Sequence, residues 1–221
     1  HQLNHSSFLL ENGKNFLLAD PWNKKPAFGS WLPNPPLPYH PAFIASLSYS
    51  PDVNFCILIS HGHDDHCDDD YLSLFNKETP IIMHNFKSKG PLKRVEAIGF
   101  TNIILTDDKV TDICNFNLTS FIEKEYSMDD AVYCIKGEDY FVVHANDNSI
   151  KFSEENINSV IDFKKNIDFD RTVFLSQTNN ASCFPLAYPQ FNENVESFLK
   201  DKVIKTISVA GENIIRCGIK N

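Results

Sequence analysis

One passage restricts what this chain can fold into more than any other: the apolar run Phe55-Cys56-Ile57-Leu58-Ile59-Ser60 passes directly into His61-Gly62-His63-Asp64-Asp65-His66. The first half reads as a short strand. The second half gathers three imidazoles and two carboxylates within six residues, a density for which core packing offers no reason. The strand is therefore expected to end where an exposed loop begins.

Similar short runs fill the first two thirds of the chain: Ser6 to Leu10, Asn15 to Ala19, Pro80 to His84, Asn102 to Leu105, Asn117 to Ile122, Ala131 to Ile135 and Tyr140 to His144. Each is bounded by Gly, Asn, Asp or Pro, and Gly13 and Gly137 mark hairpin turns. Helices are expected over Asp69 to Phe75, Pro91 to Ile98, Ser153 to Phe163 with Ser153 as N-cap, and Asn192 to Lys200. Tight strand pairs mixed with helices predict an α/β fold, an αββα sandwich of two mixed β-sheets flanked by helices. Residues 1–221 fit one domain. The start at His1 rather than Met predicts that it is cut short at one or both ends.

Seven prolines between Pro21 and Pro41 exclude regular structure there and predict a long loop. It carries Trp22, Phe28, Trp31 and Tyr39, so it should pack on the body or wall a substrate pocket together with His5.

Hydrophobic residues make up 42% of the chain, enough for a true core. Twenty basic against 29 acidic residues give a net charge of −9, a field that repels nucleic acid and anionic lipid. There is neither a membrane-spanning run nor the basic and apolar regions of a signal peptide at the start, which predicts a soluble cytoplasmic protein acting on a small molecule. Six cysteines without Cys-x-x-Cys spacing predict free thiols, with Cys56 and Cys134 packed as small apolar groups.

Imidazole nitrogens and carboxylate oxygens are the ligands of zinc, iron and manganese. Side chains alternate in an extended segment, so His61 and His63 face one way while Asp65 and His66, past a bend, can serve a second ion. Two divalent metal ions are the reading these residues favour, against a merely histidine-rich polar turn.

The string His61-x-His63-x-Asp65-His66 resembles the signature of the metallo-β-lactamase superfamily. Asn4-His5-Ser6-Ser7-Phe8 and Asp20-Pro21-Trp22 are similar to the opening hairpin and Asp-Pro turn of the branch that includes UlaG-like lactonases and N-acyl-phosphatidylethanolamine phospholipase D. The stretch from Asp20 to Phe28 with Trp31, then Met128-Asp129-Asp130 and His144-Ala145-Asn146-Asp147, resembles CMP-N-acetylneuraminate hydroxylase-like proteins. The resemblance implies His61 and His63 on a first metal, Asp65 and His66 on a second, and Asp147 between them. A histidine usual at the first site is missing here; matching Met128-Asp129 puts Glu125 in its place, with Glu123 and Asp129 as rivals. The histidine that usually completes the second site has no counterpart, because none follows His144. His144, His5, His40 and His84 are expected to be packed or to support ligands rather than to bind metal, with His5 placed near the metals by the resemblance.

Metal coordination can lower the pKa of water from about 15.7 toward 7, which makes hydrolysis the first expectation. Asp65 would carry protons, and the substrate would be an ester, lactone, amide or phosphodiester. The resemblance also implies a second activity, a non-haem diiron oxygenase supplied by a reductase partner, since no Rieske Cys-x-His pair occurs in the chain. A third reading is a metal-binding protein without catalysis.

Overall fold

Successive side chains along the central strands face opposite layers, and this alternation organises the architecture. The computed structural model describes residues 1–23, 25–123, 130–147, 151–165, 167, 171–176 and 195–219. In β2 (Asn15–Ala19), Leu17 and Ala19 enter the space between two sheets while Leu18 faces outward. In β3 (Asn54–Ile59), Cys56 and Leu58 face inward and Ile57 and Ile59 outward. Both faces of β3 are buried, which is why its sequence shows no polar alternation.

The first sheet runs in the order β1 (Phe8–Asn12), β2, β3, β4 (Ile81–His84) and β5 (Ile103–Thr106). Its β1–β2 pair is antiparallel and the remaining pairs are parallel. Gly13, at φ +61°, supplies the left-handed turn between β1 and β2. The second sheet contains β6 (Thr111–Ile113), β7 (Phe116–Ile122), β8 (Ala131–Lys136), β9 (Phe141–His144) and β10 (Thr172–Leu175). It is antiparallel except for β9 with β10.

Between the sheets, Leu17, Cys56, Leu58 and Ile82 pack on Phe116, Leu118, Tyr133, Ile135 and Val142. Outside the first sheet lie α1 (Pro41–Leu47), α2 (Asp69–Leu72) and α3 (Gly90–Ile98), which bury Ile44, Tyr71 and Val95 against Ile57, Ile59 and Met83. Outside the second lie α4 (Glu154–Lys164) and α5 (Val195–Arg216), where Ile157 and Val160 meet Val132, Cys134 and Val143. The order helix, sheet, sheet, helix is the αββα sandwich expected.

Four local differences from the sequence expectations have physical causes. Pro41 does not end the proline loop as coil but opens α1 at its first turn, with His40 Nδ1 accepting from Ala42 N at 3.3 Å. The three residues of β6 and four of β10 are too short to show a period. The last helix runs from Val195 to Arg216, far beyond Lys200, through Val203, Ile204, Thr206, Ile207 and Gly211, residues whose propensities disfavour helix. Packing of Ile214 and Cys217 on the α4 layer anchors that end. The expected start at Asn192 lies outside the described residues, as does Cys183. Among the described residues the cysteines are free, and no helix is long and apolar enough to cross a membrane.

Candidate metal centre

At the carboxyl ends of β2, β3 and β9 the two sheets present one shared edge, the place where layered α/β proteins usually hold ligands. Three chain reversals deliver polar groups to it. Asp20 follows β2 in a left-handed conformation at φ 46°, and Asn146 follows β9 at φ 40°. After β3, the 61–66 loop is pinned from outside by Arg94 of α3, which donates to Gly62 O at 2.8 Å and to Asp64 Oδ1 at 2.9 Å. A side chain at position 62 would meet Pro91 Cγ at 2.9 Å, so the motif has glycine where the loop crosses α3.

Among the described residues, donor atoms converge there in three groups whose members lie within 4.8 Å of one another: His61, His63 and Asp130; His61, His66 and Asp147; and His5, Asp65 and His66. His61 Nε2 is 2.9 Å from His63 Nδ1 and 3.8 Å from Asp130 Oδ1. His66 Nε2 lies 3.7 Å from Asp65 Oδ2, and Asp65 Oδ2 is 3.3 Å from His5 Nε2. Asp147 reaches both histidines, with Oδ1 3.3 Å from His66 Nε2 and Oδ2 3.9 Å from His61 Nε2. Ligands held about 2.0–2.2 Å from a common ion must stand roughly 3–3.5 Å apart, which is close to this spacing. His66 Nε2 is buried and faces carboxylate oxygens of Asp147 and Asp65, while Asp65 Oδ1 is buried with no hydrogen-bond partner among the described residues, an arrangement that is costly unless a cation draws these groups together.

Asp20 organises the imidazoles from behind. It is fully buried and accepts from Ser60 N (2.7 Å), Ser60 Oγ (2.8 Å), His66 Nδ1 (3.0 Å) and His144 Nε2 (2.8 Å). A proton on His66 Nδ1 leaves the Nε2 lone pair facing the centre. Burial raises the cost of charging Asp20, yet the two histidines hold its carboxyl well below the usual range. For His66 burial works against the cation, but Asp20 and Asp147 outweigh it and keep the ring's affinity for a proton high. His61 is pushed down to about 3, by burial first and by the His66 charge second, so it is neutral and ready to donate a lone pair. Asp147 is held at about 2, because the hydrogen bond and charge of His66 overcome the effect of its burial.

Of the residues expected at the site, His61, His63, Asp65, His66 and Asp147 come together. Glu125 and its rival Asp129 lie outside the described residues. Glu123 is engaged elsewhere: its Oε1 accepts from Ser153 N at 3.0 Å and Asn156 Nδ2 at 2.7 Å, at the start of α4. Asp130 was not anticipated. The β8–β9 register sets Tyr133 opposite His144, and Asn146 Nδ2 then donates to Ala131 O, so Asp130 falls across from Asp147. The spacing of these two acids about the Gly137 turn was the available signal.

The expected pocket walls separate. His5 lines a cavity of about 380 Å³ with Phe8, Asn34, Pro35, His144 and Asp147. Trp22 is instead buried, its Nε1 donating to Lys25 O at 2.8 Å. Phe28 stands edge-on to His63 and Trp31, with ring centres at 5.7 and 5.6 Å, on the opposite flank. The proline loop therefore reaches this cavity through Asn34 and Pro35 rather than through its tryptophans.

Residues 1–163 match the family described as the beta-lactamase superfamily domain. Over 109 residues, 48% of this chain, the sequence is 29% identical to a Mycolicibacterium smegmatis protein whose name assigns it a Rieske 2Fe-2S iron-sulfur centre. The chain spans about a fifth of that relative, 20% of its length. Among solved structures, CmlA, a diiron beta-hydroxylase from Streptomyces venezuelae, superposes with a TM-score of 0.58 at 14% identity, covering 98% of this chain and 42% of its own. An isothiocyanate hydrolase from Delia radicum gut bacteria gives 0.52 at 17% identity, covering 74% of this chain and 67% of that one. At such identities the likeness is one of fold. The family match spans well over half of the chain and contains every donor group described above, and the protein belongs to the beta-lactamase superfamily.

Proposed function

We propose that this protein is a metal-dependent hydrolase built around two divalent ions, zinc, iron or manganese. His61, His63 and Asp130 would hold one ion, Asp65 and His66 the other, and Asp147 both. The observation that carries the reading is the split of the Asp147 carboxylate, one oxygen toward each buried histidine. Glu125 remains our candidate for a further ligand of the first ion.

Bound ions would supply Lewis acidity and a water nucleophile active near neutral pH. The chain's own groups do the rest. Asp65, Asp130 and Asp147 would offset three of the four positive charges of two divalent ions and Glu125 the fourth, so the pull on a carbonyl or phosphoryl oxygen would come from each ion acting locally as a Lewis acid. Asp65 would carry the proton of the reaction, taking it up and returning it to a leaving group. The cavity beside His5 and Asp147 combines the rings of Phe8 and Phe174 with polar Asn34 and Ser176, a lining suited to a small acyl or ring substrate with a few hydrogen-bonding groups. Esters, lactones, amides and phosphodiesters are the substrate classes to try.

A specific observation also favours a second reading, a diiron oxygenase. The donor set is rich in carboxylates, which suit iron, and the relatives include a diiron hydroxylase and a protein named for a Rieske centre. This activity would need electrons from a reductase partner.

Elemental analysis of protein purified without chelator, followed by turnover of generic esters, lactones and phosphodiesters, tests the reading. We expect two ions per chain and hydrolysis that requires neither oxygen nor reductant, with turnover by Asp147→Ala lowered at least about 100-fold. Oxygen consumption on adding a reductant, without hydrolysis, would transfer the assignment to the oxygenase. Two bound ions with neither activity would leave a metal-binding protein without catalysis.

A further inference from the structure

We propose that His5, from the segment preceding β1, is a direct ligand of the second ion, completing the site that Asp65 and His66 begin. This rests on the two-ion reading above. His5 Nε2 stands 3.3 Å from Asp65 Oδ2, and both belong with His66 to one group of converging donors. The His5 ring meets the His66 ring edge-on with centres 6.2 Å apart, and Trp22 closes its other side at 5.3 Å. His66 is fully buried, and its Nε2 faces the carboxylates of Asp147 and Asp65 at 3.3 and 3.7 Å; Asp65 Oδ1 is buried with no hydrogen-bond partner among the described residues. Buried donors gathered in this way call for a cation, and His5 supplies the nitrogen on the remaining side.

The segment that carries His5 is fastened to the ligand loop and to β1. Ser6 Oγ donates to the Asp65 backbone oxygen at 3.0 Å, Leu3 N donates to Ser7 O at 2.9 Å, and Gln2 pairs with Phe8. Such fixing is what a ligand far away in sequence needs, because an unrestrained segment would lose conformational entropy on every binding event. His5 also lines the 380 Å³ cavity, so the ion it holds would face the substrate space directly.

The test uses the full chain, stripped of metal and titrated with cobalt(II) and with zinc against a competing chelator. Wild type should take two ions. His5→Gln should keep one at unchanged affinity and bind the other at least about tenfold more weakly. His5→Cys should recover the second ion and show a thiolate-to-cobalt charge-transfer absorption absent from wild type. Circular dichroism checks that each variant is folded, and His5→Cys answers the question by its spectrum even where His5→Gln is unstable. Two ions bound by His5→Gln with wild-type affinities and cobalt spectrum would overturn the His5 assignment and leave the two-ion reading standing. A wild-type chain that binds no ion would overturn both.

Discussion

Asp20 illustrates how a side chain can govern a centre it does not enter. Its carboxylate accepts four hydrogen bonds in full burial, and the bond from His66 Nδ1 decides which nitrogen of that ring faces Asp65 and Asp147. Asp20→Asn keeps the volume but replaces one acceptor oxygen with a donor, setting an N–H against either Ser60 or the histidines. We expect metal affinity to fall about 10- to 100-fold with the fold intact, measured by chelator competition alongside circular dichroism. An unchanged affinity would show that His66 needs no support. At this scale the sequence revealed the donor types and concealed their assignments. The 61–66 string was legible because its ligands are neighbours in the chain. Sequence put Glu125 ahead of Glu123 and Asp129 and did not single out Asp130, since only the β8–β9 register carries Asp130 to Asp147 while Glu123 turns to the α4 terminus.

Helices α3 and α4 perform different tasks for the two sheets. Arg94 of α3 ties Gly62 and Asp64 of the ligand loop to Asp69, which accepts from Arg94 Nε at 2.6 Å. Arg94→Ala should lower stability by about 1–2 kcal/mol, because these charged bonds are partly open to solvent, and should weaken metal binding by loosening the loop. Urea unfolding and a zinc titration check the two effects separately. At α4, Ser153 Oγ accepts from Asn156 N at 3.3 Å, so Ser153→Ala should cost about 1 kcal/mol by the same unfolding measurement, with metal affinity untouched. That cap was readable from sequence because capping is local. The opening of α1 and the length of α5 were not, since burial of Ile44 and Ile214 outweighs the weak or contrary preferences of the residues around them.

For the molecule as a whole, loading with metal and pH are linked through His66. Burial opposes its charge, but Asp20 and Asp147 raise its proton affinity in the metal-free protein. A folded pKa above the ordinary 6.5 means that this stabilisation is complete below that pH and is lost as the pH rises through the folded value. An ion on Nε2 displaces the proton, so binding should release protons, and the melting temperature gained by metal should grow as the pH rises above the ordinary imidazole value toward the raised folded one. At a free ion concentration 100 times the dissociation constant the gain should approach about 2.7 kcal/mol. Thermal melts with metal and with chelator across that range check it, and a gain that shrinks as pH rises would contradict the linkage. The sequence by itself determined the layered α/β class, most of the strands that build it, β6 and β10 excepted, and the loop bearing His61, His63, Asp65 and His66, because periodicity, turn residues and ligand spacing act over a few positions. Asp147 and the placing of His5 beside the centre followed from resemblance, and only the tertiary structure decided that Asp20 and Asp130 gather around that loop and how close His5 comes to Asp65. Their convergence depends on strand register and on the stacking of two sheets, and those contacts join residues far apart in the chain.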